Sequence, residues 1–317
     1  MPRILRILVA VVLTAIVLYT AHPSDVIRAT SGADLRWLAA AVGLVLVDRS
    51  LMALRWIDLL VALTPGSRPP FGRVLRIFFV SSFVSNFVPS VAADMYRAYA
   101  LARCDVHLAE STASVLMDRV LGVLSMVIVG ACALPFARDL GIARGVILAL
   151  SVAFAGCAAA GLIVFSEGAS TIFLRIMDRI PVAAVRRATA ALTEAVRRYS
   201  RHHGALTRVL AMSVAVQAIR VVQAWCLGEA LGMNLPLLVY FAAVPVILLI
   251  MQVPITINGL GTSQVAFVTL LAPTAADAAP ATALSLLFLA LGVIGSLPGG
   301  IIYAVADRAE RPGAQPS

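Results

Sequence analysis

The feature that most constrains this chain is a succession of long apolar runs, near residues 4 to 20, 37 to 63, 74 to 100, 111 to 136, 142 to 165, 206 to 231, 237 to 257, 260 to 273 and 281 to 305. A helix needs roughly 20 apolar residues to cross the hydrocarbon core of a bilayer, and most of these runs are long enough. The composition agrees: 61% of the residues are apolar and only 13% charged, against about 45 to 50% and about 25% in a soluble domain. Mean hydropathy is +0.96. The sequence predicts an all-α, polytopic integral membrane protein of about eight helices. Disorder, collagen, disulfide scaffolds and soluble enzymes are excluded.

The run at 4 to 20 follows Arg3 and Arg6 and has the outline of a signal peptide. No A-x-A cleavage pattern follows it, so an uncleaved first helix is expected. The predicted organisation is one transmembrane domain in two halves, 1 to 166 and 208 to 306. A cytoplasmic arginine-rich connector at 167 to 207 joins them, and 307 to 317 form a short disordered cytoplasmic tail.

Arginine placement orients the spans. The connector holds Arg175, Arg179, Arg186, Arg187, Arg197, Arg198 and Arg201, and short loops rich in basic residues stay in the cytoplasm. Arg3 and Arg6, Arg308 and Arg311, and the group Arg68, Arg73 and Arg76 in another loop then place both termini and that loop on the same side. The expected location is a bacterial-type cytoplasmic membrane. The connector is expected to form an interfacial amphipathic helix.

Two runs are interrupted. Asn86, Pro89 and Ser90 break one, and Pro254, Asn258, Gly259 and Gly261 break another. Proline removes a backbone donor and disfavours helix in the residue before it, so polar backbone is freed at membrane depth, where it must line a cavity. In the predicted orientation the first break enters from the cytoplasm and the second from outside. Such opposed broken helices mark an inverted-repeat transporter with a midplane site. Two proline-kinked ordinary helices are the alternative.

Ionisable groups within membrane segments normally face the bundle interior and mark function. Asp48 and Arg55 lie two turns apart on one helix with Met52 between them, and an Arg55–Asp58 pair is the structural alternative. Asp94 and Arg97 stand at i and i+3 after Pro89; Arg97 is expected to hold an anionic headgroup and Asp94 to orient it. Asp118 and Arg119 are adjacent, about 100° apart on a helix, so each needs a partner elsewhere; Asp118 toward Arg97 with Arg119 toward phosphate is one wiring. Arg220 and Gln223 form a further polar pair, with helix–helix hydrogen bonding as the equal alternative for Gln223. A short helix from Thr262 would direct free amide donors at an anion.

All 25 basic residues are arginine. Codon bias accounts for this, yet guanidinium groups also bind phosphate with a fork of donors where an ammonium acts as a point charge. Cys104, Cys132, Cys157 and Cys226 are scattered, and His22, His107, His202 and His203 share no ligand spacing with them. No metal site, cofactor or catalytic residue is predicted.

The Arg55-Trp56 helix end, the Asn86, Pro89, Asp94, Arg97 run, the Asp118-Arg119 pair and the Pro254 to Gly261 turn together resemble the lysylphosphatidylglycerol synthase transmembrane-region family, over nearly the whole chain. The resemblance implies about eight helices with re-entrant hairpins and movement of a phospholipid or related amphiphile between leaflets. Together with the polar residues read above, headgroup binding is expected of Arg55, Asn86, Pro89, Asp94, Arg97, Asp118, Arg119, Arg220, Gln223, Pro254, Asn258, Gly259, Gly261 and Gln264. The chain departs from the family pattern at Ala93, where glycine is usual, at Ile257-Asn258-Gly259 in place of Pro-Gly-Gly, and at Gln264, often Glu. A carboxylate that could meet a cationic aminoacyl headgroup is thus missing at Gln264. The fused aminoacyl-transferase is expected to be absent.

The leading functional expectation is a lipid flippase or transporter for an anionic phospholipid or lipid-linked headgroup. With no G-x-x-x-x-G-K-[ST] motif, movement would be downhill or ion-driven, and Asp48, Asp94 and Asp118 are the candidate proton carriers. The alternatives are an integral-membrane enzyme or accessory subunit acting on a lipid-linked sugar, and a membrane scaffold. Expected partners are anionic membrane phospholipids and no nucleic acid; the sequence leaves room for a homodimer and for a separate lipid-modifying enzyme.

Overall fold

A computed structural model describes residues 32–64, 69–87, 90–102, 106–137, 202–252, 262–272 and 278–305, with the single positions 152, 155, 194 and 197–199. The described residues form α1 (Leu35–Leu63), α2 (Phe71–Val84), α3 (Ser90–Ala102), α4 (Leu108–Ala137), α5 (His203–Ala230), α6 (Leu237–Gln252), α7 (Thr262–Leu271) and α8 (Ala278–Val305). The protein is all-helical, and four of these helices, α1, α4, α5 and α8, are long and apolar enough to cross a membrane. The predicted runs at 4 to 20 and 142 to 165, the connector and the tail lie outside the described residues, apart from those single positions.

Order and length already repeat: long, short, short, long in α1 to α4, and again in α5 to α8. The neighbours repeat as well. α2 packs on α8 as α6 packs on α4; α3 packs on α4 as α7 packs on α8; α1 meets α2, α4 and α8 as α5 meets α6, α8 and α4. Every major helix contact therefore has a counterpart after exchange of the two halves, except α1 with α5, which is its own counterpart.

That central pair is antiparallel. The Asp34 amide at the start of α1 donates to the Ala230 carbonyl at the end of α5, 3.1 Å away, and Trp37 meets Trp225 edge to face at 5.0 Å. Further along, Arg220 Nε donates to Asp48 Oδ1 at 3.1 Å, Arg55 Nη1 to Ser213 Oγ at 3.0 Å, and Asp58 faces Arg208 at 3.5 Å. Residue numbers fall on α5 as they rise on α1. Since these helices are equivalent members of the two repeats and run oppositely, the repeats are inverted.

Local chemistry fixes the helix ends. The Asp34 carboxylate accepts from the Arg36 amide at 2.8 Å, satisfying one of the donors a helix start leaves free. Just past the end of α5 and its cap residue Leu231 stands Gly232, whose φ of +70° suits glycine. Met233 and Gly232 amides return to the Gly228 and Glu229 carbonyls at 3.0 Å each, the closure expected of a glycine-terminated helix. The expected break in the 74 to 100 run is present. α2 stops at Val84, Ser85 to Phe87 turn, and α3 begins at Ser90. The second break coincides with the end of α6 and the start of α7, but Pro254, Asn258, Gly259 and Gly261 lie outside the described residues, as does Pro89.

α8 approaches α2 very closely. A Cβ on Gly299 would overlap the Phe79 carbonyl, and one on Gly300 would press on the Phe83 ring. Small residues permit such approach where lipid supplies no hydrophobic drive between helices. Asn86 Nδ2 donates to Ser296 Oγ at 2.8 Å across the same contact, so the end of the first broken run is pinned to the second repeat.

Candidate functional site: a buried arginine–aspartate cluster

Three helices of the first repeat meet around five charged side chains. α1 supplies Arg55, α3 supplies Asp94 and Arg97, and α4 supplies Asp118 and Arg119. Asp118 sits at the centre. Its Oδ1 lies 2.6 Å from Arg55 Nη2, and its Oδ2 lies 3.4 Å from Arg97 Nη2. Arg55, Arg97 and Asp118 are all about 95% or more buried. One carboxylate thus bridges two guanidinium groups, which is the arrangement that makes such burial tolerable.

The neighbours of these groups are equally specific. Arg97 lies over two rings, its guanidinium carbon 4.4 Å from the Trp56 centroid and 4.8 Å from that of Phe78, within cation–π distance of both. Trp56 is held by its indole N–H on Ser114 Oγ at 3.0 Å. Ser111 Oγ donates to the Ala98 carbonyl at 2.9 Å, tying α4 to α3. Tyr199, from the connector, donates to the Leu59 carbonyl at 2.8 Å. Burial, with the charges of Asp118 and Glu110, pushes its phenol up and keeps it a donor.

Arg119 differs from the other two arginines. Its Nε and Nη2 donate to Asp94 Oδ2 and Oδ1 at 2.8 and 2.9 Å, a forked pair. Its side chain is 38% exposed and that of Asp94 19%. The i,i+3 contact of Asp94 with Arg97 is longer, 3.8 Å. Of the expected wiring, Asp118 toward Arg97 is present, but Asp94 orients Arg119 rather than Arg97. Arg97 is enclosed by rings and carboxylates, and Arg55 pairs with Asp118 while Asp58 faces Arg208.

The sequence model of the lysylphosphatidylglycerol synthase TM region matches residues 3–299, and so takes in both repeats as far as Gly299 in α8 and every charged residue of this site. The chain belongs to that family. No curated protein matches it.

In this family member a second charged group lies two helical turns along α1, about 10 Å from the first at 1.5 Å per residue. Asp48 is 97% buried and receives Arg220 Nε at 3.1 Å, with Arg49 Nε at 3.9 Å. Arg220 Nη2 also reaches Met52 Sδ at 3.0 Å, which accounts for the methionine between Asp48 and Arg55. Gln223 does not join Arg220; it is buried, and its Nε2 has no partner among the described residues. Ser263 Oγ donates to Gln264 Oε1 at 3.1 Å at the start of α7. Asn86 is buried against Ser296, outside the arginine cluster.

Sequence reasoning found the five charged groups but missed Ser213, Ser114, Trp56 as a ring partner, and Tyr199. Serine and tyrosine are common among apolar residues, and only tertiary packing distinguishes these from others.

Proposed function

We propose that this protein is a lipid flippase or transporter that moves an anionic phospholipid or lipid-linked headgroup between leaflets. The observation that carries this reading is the charge count of the cluster: three arginines face two aspartates, leaving one positive charge over, and Arg119 is the member open to the outside. A guanidinium stays charged when desolvated and forks onto phosphate oxygens. An anionic headgroup would neutralise the cluster while its acyl chains remain in lipid. Membership of a lipid-related membrane family supports the same class of ligand.

The inverted repeat supplies the second half of the reading. In the proposed mechanism α2–α3 and α6–α7 are re-entrant hairpins entering from opposite faces, and the headgroup crosses between them. Both termini would lie in the cytoplasm of a cell whose inner membrane holds the protein, as the arginine-rich loops direct. Asp48, Asp94 and Asp118 remain the candidates for coupling to an ion gradient.

The test is translocation of fluorescent phosphatidylglycerol in proteoliposomes. Arg119→Ala removes charge-assisted bonds worth about 1.5 to 3 kcal/mol, so the rate is expected to fall by about 10- to 100-fold. A rate equal to wild type, with the variant folded and inserted, would show that Arg119 holds no headgroup.

A further inference from the structure

The forked contact between Arg119 and Asp94 has the geometry with which arginine holds a phosphodiester: two parallel N–H donors on two oxygens of one anion. Arg55 and Arg97 are already spent on Asp118 and are sealed from outside. The one guanidinium of this cluster with an open side, Arg119, is therefore occupied by an anion belonging to the chain itself. Building on the lipid-transport reading above, we propose that Asp94 occupies on Arg119 the seat of the substrate phosphate, and that a monoanionic phosphodiester lipid enters by displacing it.

Three observations favour displacement over a permanent structural pair. Asp94 has a second cation to fall back on, Arg97 at 3.8 Å, so it is not stranded when Arg119 turns away. α3 stays fixed to α4 meanwhile, through Arg97 with Asp118 and Ser111 with the Ala98 carbonyl. Both Arg119 and Asp94 are also the more exposed members of the cluster. After the exchange three guanidinium groups face two carboxylates and one phosphodiester, and the site is neutral. The same balance sets selectivity by charge. A headgroup bearing an added ammonium brings a cation that neither aspartate is free to meet, whereas a dianion overshoots neutrality.

Asp94 then acts as a competitor built into the site, and removing it should strengthen binding. The experiment uses the full chain in detergent, with short-chain phosphatidylglycerol, short-chain phosphatidylcholine and inorganic phosphate as probes. Wild type is expected to prefer phosphatidylglycerol. Asp94→Asn, or Asp94→Ser if the first variant is not monodisperse, is expected to bind it at least about tenfold more tightly, as loss of one charged competitor predicts. In the Arg119→Ala background the same change is expected to have no effect, which places the gain on that pair.

Unchanged or weaker phosphatidylglycerol binding by the folded Asp94 variants, with wild type still preferring that lipid, would overturn the displacement and leave the transport reading standing. Equal binding of the two lipids by wild type and by Arg119→Ala would instead remove the transport reading on which the proposal rests. Inorganic phosphate binding as tightly as the lipid would overturn the assignment to a lipid headgroup.

Discussion

The two repeats share one scaffold and have opposite interiors. In the first, α2 to α4 carry Arg73, Arg76, Asp94, Arg97, Glu110, Asp118 and Arg119. In the second, α6 to α8 carry no Asp, Glu, Lys or Arg among their residues. The core there is Val239, Tyr240, Ile247, Phe267, Leu284 and Leu291 packed against α5. Helix order and helix neighbours are thus set by features common to both halves: apolar length, a central break and small residues at close contacts. Charge is not needed to build the scaffold. α2 to α4 carry it as an addition to an arrangement that α6 to α8 achieve without it.

This contrast is sharpened most by removing one member of the cluster. Asp118→Ala leaves Arg55 and Arg97 buried without their shared carboxylate, and breaking a buried ion pair in this way costs about 3 to 5 kcal/mol. A large fall in thermal stability in detergent is expected. A fall of only a degree or two would mean that water reaches the cluster and that the two interiors differ less than their composition indicates.

The complementary change makes the first repeat resemble the second. Replacing Arg55 and Arg97 by Met and Asp118 by Leu together removes the desolvation burden along with the attraction, and such exchanges are neutral or stabilising by about 1 to 4 kcal/mol. The triple variant is expected to match or exceed wild type in stability while losing lipid translocation. If it unfolds, the charges are part of the scaffold after all.

A smaller effect probes what the halves have in common. Gly299→Ala places a methyl group against the Phe79 backbone, and overpacking of this kind costs about 1 to 3 kcal/mol. Gly292, which has open space around it on the same helix, should accept alanine without loss of stability. Equal tolerance at both positions, read by thermal unfolding, would show that α2 and α8 separate easily.

Much of the scaffold was legible because it rests on local pattern. The run read as 37 to 63 is α1 at Leu35–Leu63, and the run read as 111 to 136 is α4 at Leu108–Ala137. Asn86 and Pro89 marked a break that the structure contains. The site was legible only in part. Adjacent Asp118 and Arg119 point in different directions, and that much followed from helical geometry; they take different partners, Asp118 pairing with Arg55 on α1 and Arg97 on α3, Arg119 with Asp94 on α3. Which residue waits opposite depends on helix rotation and axial offset, fixed by packing across the whole bundle. Asp48 and Arg220 are 172 residues apart, and no periodicity within α1 or α5 announces their meeting. Gln223 was grouped with Arg220 from spacing alone, yet the two side chains go to different surroundings.

The ring partners of Arg97 give the molecule an optical consequence. Of its three tryptophans, Trp37 and Trp225 contact each other at the end of α1 where α5 finishes. Trp56 stands alone in the cluster, fully buried, with a guanidinium 4.4 Å from its ring centroid. A cation held against an indole shifts its emission, so the chain carries a native fluorophore at the site and a second, paired emitter at the opposite end of the same helix. With Trp37 and Trp225 changed to Phe, the light from this protein would come from Trp56, and its colour would follow the electric field of the cluster.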